Sequence, residues 1–127
     1  MNQRLIRPES CSYLTIPNIV GIISIKAART GFHLSKKIIH LCEQAGIRNL
    51  TGQQADSSVA ILANAHLCAA FKNTSFYYPS ENSFFLIPVN DLLKESIVIK
   101  DGCLELSDAP GLGIQISEKT LEKFTML

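Results

Sequence analysis

Ile19-Val20-Gly21-Ile22-Ile23-Ser24-Ile25-Lys26-Ala27 is the stretch on which the fold turns. It is rich in β-branched side chains, too short for a solitary helix, and apolar on both faces until Lys26, the pattern of a buried strand in a parallel sheet. Beyond a turn at Thr30-Gly31, apolar residues recur at Leu34, Ile38, Leu41, Cys42 and Ala45, with Lys36, Lys37, Glu43 and Gln44 between them. That spacing predicts an amphipathic helix, which Gly46 stops. Ile47 to Thr51 reads as a second strand, and residues 52–56 as a loop to a second helix that Ser57 or Ser58 caps. This helix, from about Val59 to Phe71, is apolar nearly all round and is expected to be covered on most sides. Asn73-Thr74 then turns the chain into a third strand, Ser75 to Tyr78, before a loop around Pro79, Asn82 and Pro88.

Strands alternating with helices imply βαβ units and parallel neighbours, because parallel pairing needs crossover connections. The class expected is α/β. Upstream, residues 1–18 carry Pro8 and Pro17 among scattered polar groups and read as an irregular lead-in. The main unit runs over 19–95. A third part, 96–127, changes pattern: Ile97-Val98-Ile99-Lys100, the turn Asp101-Gly102 and Cys103-Leu104-Glu105-Leu106 form a hairpin. Ser117 and Glu118 then open a short helix with apolar points at Leu121 and Phe124.

A chain of 127 residues fits one domain and buries roughly two-thirds of its unfolded surface. Its 18% charged fraction lies below the ~25% usual in soluble domains, so some apolar surface is expected to meet a partner. Twelve basic and eleven acidic residues leave a charge of +1, which steers neither nucleic acid nor an anionic membrane. No segment reaches the ~18 apolar residues of a transmembrane helix, and the reading is of a cytoplasmic protein. Cys11, Cys42, Cys68 and Cys103 form no Cys-x-x-Cys pair and read as reduced core thiols, not as a zinc site.

The closing run from Val98 to Phe124, with Ser107-Asp108-Ala109-Pro110-Gly111-Leu112-Gly113-Ile114 at its centre, resembles the end of an enolase-superfamily enzyme of the mandelate racemase and muconate lactonizing type, and of the muconate cycloisomerases in particular. Ile25-Lys26-Ala27-Ala28-Arg29-Thr30-Gly31 is similar to the sixth barrel strand of that family. Gly52 to His66 resembles its seventh strand exit and following helix. The resemblance spans Ile19 to Phe124. It implies a partial (β/α)8 barrel of the TIM type, its last three strands and two helices, followed by a hairpin and helix that return to a capping domain. One departure is the glycine pair after the lysine, here a single Gly31 followed by Phe32.

The chemistry implied is removal of a proton α to a carboxylate, of isomerase, racemase or lyase outcome, assisted by Mg2+. In the resemblance Lys26 is the base. A lysine serves so near neutral pH where burial or a neighbouring cation disfavours its charged form, and the end of an apolar strand is such a place; alone, a strand-end lysine is more often a solvated terminus. Asp56 aligns with an acidic residue that contacts substrate or orients a proton donor, but beside Ser57 it reads equally as a helix cap, the reading preferred here. Glu81 matches a weaker acidic position near the eighth strand and otherwise is an exposed loop residue. His66 reads as a hydrogen-bonded structural histidine, and His33 and His40 as surface groups. The family's metal ligands come from its third to fifth strands, so no ligand is expected here, and Asp91, Glu95 and Asp101 form no substitute. The reading is a C-terminal fragment or split part, incomplete alone, completed by a second chain bearing the capping domain and first strands and acting on a small carboxylate. The alternatives are a non-catalytic remnant that self-associates and a stand-alone binding domain.

Overall fold

The computed structural model describes residues 21–54, 56–74, 80 and 92–125. The isoleucine run forms β1 (Ile22–Ile25), and β2 (Arg48–Thr51) lies parallel beside it, with Ile23 opposite Asn49 and Ile25 opposite Thr51. Residues paired this way share a face of the sheet, and all four are buried. Thr74 extends the parallel pairing by a bridge to Asn49. The lead-in 1–18, the third strand read at Ser75–Tyr78 and the loop positions Pro79, Asn82 and Pro88 lie outside the described residues.

Between the strands runs α1 (Ala27–Gln44), which starts directly on the end of β1 instead of after a turn at Thr30-Gly31. Ala27 to Thr30 already make one helical turn. Gly31, at φ 66° and ψ 168°, then breaks the helix before it resumes, a backbone region essentially reserved for glycine. The buried stripe of α1 is Ser35, Ile38, Ile39 and Cys42, at helical spacings of three, one and three. Gly46 ends it as expected: at φ 68° it donates to the Glu43 carbonyl at 3.2 Å, while Ile47 N–H reaches back to the Cys42 carbonyl at 2.8 Å, the paired bonds of a Schellman motif.

The second helix, α2 (Ser58–Ala69), buries Ser58, Ile61, Leu62, Asn64 and Leu67. Ile23, Ile25, Ile38, Ile39, Cys42, Ile47 and Leu67 form one core, with Ala27 and Phe71 packed on it. Each aliphatic side chain so buried contributes about 1.5–3 kcal/mol relative to exposure. Strand β1 is thereby fixed by α1, α2 and β2 together.

In the tail, β3 (Ile99–Lys100) pairs antiparallel with β4 (Cys103–Leu104). Asp101 and Gly102 turn between them at φ 51° and 75°, the positive pair that a two-residue I′ hairpin requires. Leu93 bridges antiparallel to Ile116, and Lys94 N–H donates to the Gln115 carbonyl at 2.9 Å. The last helix, α3 (Glu118–Phe124), is capped by Ser117, whose hydroxyl accepts from Thr120 N–H at 3.3 Å. Its apolar points Leu121 and Phe124 are exposed. The expectation of core thiols holds for Cys42 and fails for Cys103, which is exposed on β4, because this two-residue strand presents an uncovered face. No helix among the described residues is long and apolar enough to cross a membrane.

Candidate active site

Two parallel strands that end side by side deliver their exit residues to one place. Beyond β1 and β2 the ladder takes one more step, Gly52 N–H donating to the Ile25 carbonyl at 2.7 Å. Lys26 follows on one strand and Gln53 on the other. The half-buried Lys26 donates from Nζ to the Gln53 backbone carbonyl, so the amine lies across the C-terminal ends of both strands. Gln53 is itself 4% exposed.

Asn64 ties this end together from behind. It sits in α2 and is 0% exposed. Its Oδ1 accepts from Ala27 N–H at 3.0 Å and its Nδ2 donates to the Gly52 carbonyl at 3.3 Å. Ala27 opens α1, so its N–H has no acceptor within its own helix, and Lys26, at the N-cap, supplies no side-chain cap. A residue from another helix does the capping. Sequence reasoning missed Asn64; the signal for it was a weak helix former at the centre of an otherwise apolar helix.

Asp56 is placed differently from the cap that was preferred for it. Its Oδ2 accepts from Gln54 N–H at 2.9 Å, so it shapes the loop between β2 and α2. The N-cap position of α2 belongs to Ser57, whose side chain makes no capping bond. Asp56 stands one residue too early: the cap's oxygen must reach the second or third helical N–H, and its own is turned back to Gln54. Glu81 lies outside the described residues. His66 is half-buried, and its Nε2, facing neighbours on α2 that are mostly alanine and leucine, has no hydrogen-bond partner among the described residues. His33 and His40 are surface groups; His40 packs edge-on against Phe71 at 5.5 Å and lies 3.6 Å from Glu43.

Among the described residues no group of three or more His, Cys, Asp or Glu side chains could hold a metal ion. A cleft between Leu62 of α2, the hairpin residues Val98 and Leu104, and the tail residues Leu112 and Ile114 includes none of Lys26, Gln53, Asp56 or Asn64. The convergence of polar groups is at the strand ends.

A family model described as enolase C-terminal domain-like matches residues 2–120. The chain belongs to that family. Muconate cycloisomerase 1-1 of Acinetobacter lwoffii is 25% identical over 123 residues, 93% of this chain and 31% of the relative. A crystal structure of the muconate lactonizing enzyme of Mycobacterium smegmatis superposes with a TM-score of 0.85 at 34% identity, over 94% of this chain and 33% of that one. The dipeptide epimerase of Enterococcus faecalis, complexed with Mg and the dipeptide L-Leu-L-Tyr, gives a TM-score of 0.73 at 29% identity, over 86% of this chain and 31% of that one. This enolase C-terminal domain-like chain thus spans about a third of the length of the relatives it matches.

Proposed function

We propose that this chain supplies the C-terminal part of a muconate-cycloisomerase-like enzyme, giving it the last three strands and two helices of a (β/α)8 barrel and the base that removes a proton α to a carboxylate. The observation that carries this reading is the position of Lys26: it follows β1 directly, at the C-terminal end of two parallel strands, with its Nζ bonded to the Gln53 carbonyl. Barrel enzymes hold their chemistry at that end. A neutral lysine amine has two N–H donors and one lone pair. The bond to Gln53 orients the amine, and as base it takes up the substrate proton. Asp56, in the loop leaving the same end of β2, is the acidic group available there for contact with a small carboxylate substrate or for returning a proton.

Proton removal leaves negative charge on the carboxylate oxygens, which Mg2+ would stabilise in this superfamily. The described residues do not fit such an ion, and no step through it is assigned to them. The proposal puts the metal ligands, the capping domain and the earlier strands on a second polypeptide. The test is to mix the two with Mg2+ in deuterated solvent and follow α-proton exchange of small carboxylates, with Lys26→Ala as control. Exchange that needs both chains and Lys26 supports the reading. Absence of exchange at every ratio, together with a large assembly of this chain alone in sedimentation, supports the self-associating remnant instead.

A further inference from the structure

We propose that Asn64 is the positioning residue for Lys26, acting through the two backbone groups that flank the amine and its acceptor. The inference rests on the reading of Lys26 as base. The bonds form a closed circuit. Lys26 Nζ reaches the Gln53 carbonyl; Gln53 is joined covalently to Gly52, whose carbonyl accepts from Asn64 Nδ2; Asn64 Oδ1 accepts from Ala27 N–H; and Ala27 is joined covalently to Lys26. Apart from the lysine's own bond, each non-covalent link in the circuit is an Asn64 bond. The ladder bond between Ile25 and Gly52 also ties the strands but stands before Lys26; in the Lys26–Ala27 peptide, the carbonyl is held by Arg29 N–H and by Thr30 N–H and Oγ1, and the N–H by Asn64.

A carboxamide meets this requirement at every pH, because it carries one acceptor and two donors on a single plane. Leucine matches its size and makes neither bond. An ionised aspartate keeps the bond from Ala27 but sets an oxygen against the Gly52 carbonyl. Protonated, the same aspartic acid regains a donor and an acceptor. Full burial makes the fit strict, since a buried polar atom left without its partner is costly.

The experiment uses the full chain, with folding of each variant verified by circular dichroism. Competitive acetylation with acetic anhydride, read by peptide mass spectrometry, compares Lys26 with Lys36 and Lys37 on the exposed face of α1. In Asn64→Leu, Lys26 should react about tenfold faster relative to Lys36, the factor that one lost hydrogen bond carries. An unchanged ratio in a folded variant overturns the proposal. Should Asn64→Leu fail to fold, Asn64→Asp replaces it in the same labelling near neutral pH, where the ionised carboxylate keeps the bond from Ala27 N–H and loses the one to the Gly52 carbonyl: Lys26 should again react faster relative to Lys36, and an unchanged ratio in the folded variant counts against the role. In the wild-type chain, Ala27 N–H exchanging as fast as an exposed amide also overturns it. In the mixed two-chain assay the two readings separate. Exchange abolished by Lys26→Ala but unaffected by Asn64→Leu removes only the positioning role; exchange unaffected by Lys26→Ala removes only the base and leaves the labelling result standing.

Discussion

Asn49 and Asn73 hold each other by two bonds of opposite direction: Asn49 N–H donates to the Asn73 carbonyl at 3.2 Å, and Asn73 Nδ2 donates to Asn49 Oδ1 at 2.8 Å. The same Nδ2 also reaches the Ile47 carbonyl at 2.9 Å. The pair joins the start of β2 to the turn that follows α2. Asn49 is 0% exposed, so its Oδ1 has no access to replacement water. Asn73→Ala should therefore lower stability by about 2 kcal/mol, within the cost of stranding a buried acceptor. The measurement is the urea midpoint; a lowered midpoint at constant slope is expected, and an unchanged midpoint contradicts the network.

Gly31 offers a test in which sign alone decides. Replacing glycine by alanine inside a regular helix normally stabilises, by roughly 0.5–1 kcal/mol. At Gly31 an added Cβ would meet nothing within 4 Å, so sterics with neighbours do not oppose it. The backbone does, at φ 66° and ψ 168°, where a side chain costs about 1–3 kcal/mol. Gly31→Ala should lower the melting temperature. A rise would mean that α1 runs straight from Ala27.

The same helix shows how far the sequence could be read. Its existence and its stop at Gly46 were legible, because apolar periodicity and a C-terminal glycine are local signals. Its start was not. Thr30-Gly31 looks like a turn before the helix, and nothing local reveals that Ala27 N–H finds its acceptor 37 residues away on Asn64. The face was only partly legible: Ile38 and Cys42 are buried as the spacing implied, but Leu34 and Leu41 are 37% and 44% exposed while Ser35 is 0% exposed. Ser35 is accepted inside because its hydroxyl meets that of Thr30 at 2.6 Å. The site divides similarly. Lys26 was singled out by the resemblance of its stretch to the family's sixth strand, since a strand-end lysine alone reads as a solvated terminus, whereas Gln53 bonds it through its backbone carbonyl and Asn64 bonds across the fold. Neither role leaves a trace in spacing.

Cys42 gives a prediction in pH. Burial pushes its thiol above the ordinary 9.0, against a weaker opposing hydrogen bond with Asn49. Below pH 9 both folded and unfolded chains keep the proton, and Cys42 adds no pH dependence. Above it the unfolded chain loses the proton first, so stability falls as pH rises, by up to about 1.4 kcal/mol per pH unit for one group. Cys42→Ala should flatten that alkaline slope, at the cost of a cavity that lowers stability at neutral pH. Thiol titration gives a second check: exposed Cys103 should react with a disulfide reagent at once, and Cys42 only as the chain opens.

The two glycines of Pro110-Gly111-Leu112-Gly113 look equivalent in sequence and have nearly the same backbone, φ 72° and 65°. Alanine at either should cost about 1–2 kcal/mol for the left-handed conformation alone. Their surroundings separate them. At Gly111 a Cβ would meet nothing within 4 Å, whereas at Gly113 it would lie 2.5 Å from Ser107 Cβ and 2.8 Å from its Oγ. Ser107 cannot simply rotate away, because its hydroxyl accepts from Ala109 N–H at 3.1 Å and Cβ does not move with rotation about its own bond to Cα. Gly113→Ala should thus be the more damaging of the two, displacing the 107–113 loop from its packing near Leu62 and the hairpin, while Gly111→Ala leaves that loop in place. Amide exchange at Gly113 and at the hairpin residues 99–104 distinguishes them: protection falls across both in Gly113→Ala and is retained in Gly111→Ala. Equal loss in the two variants would mean that backbone conformation, and not the close approach of Ser107, is what requires glycine at this position.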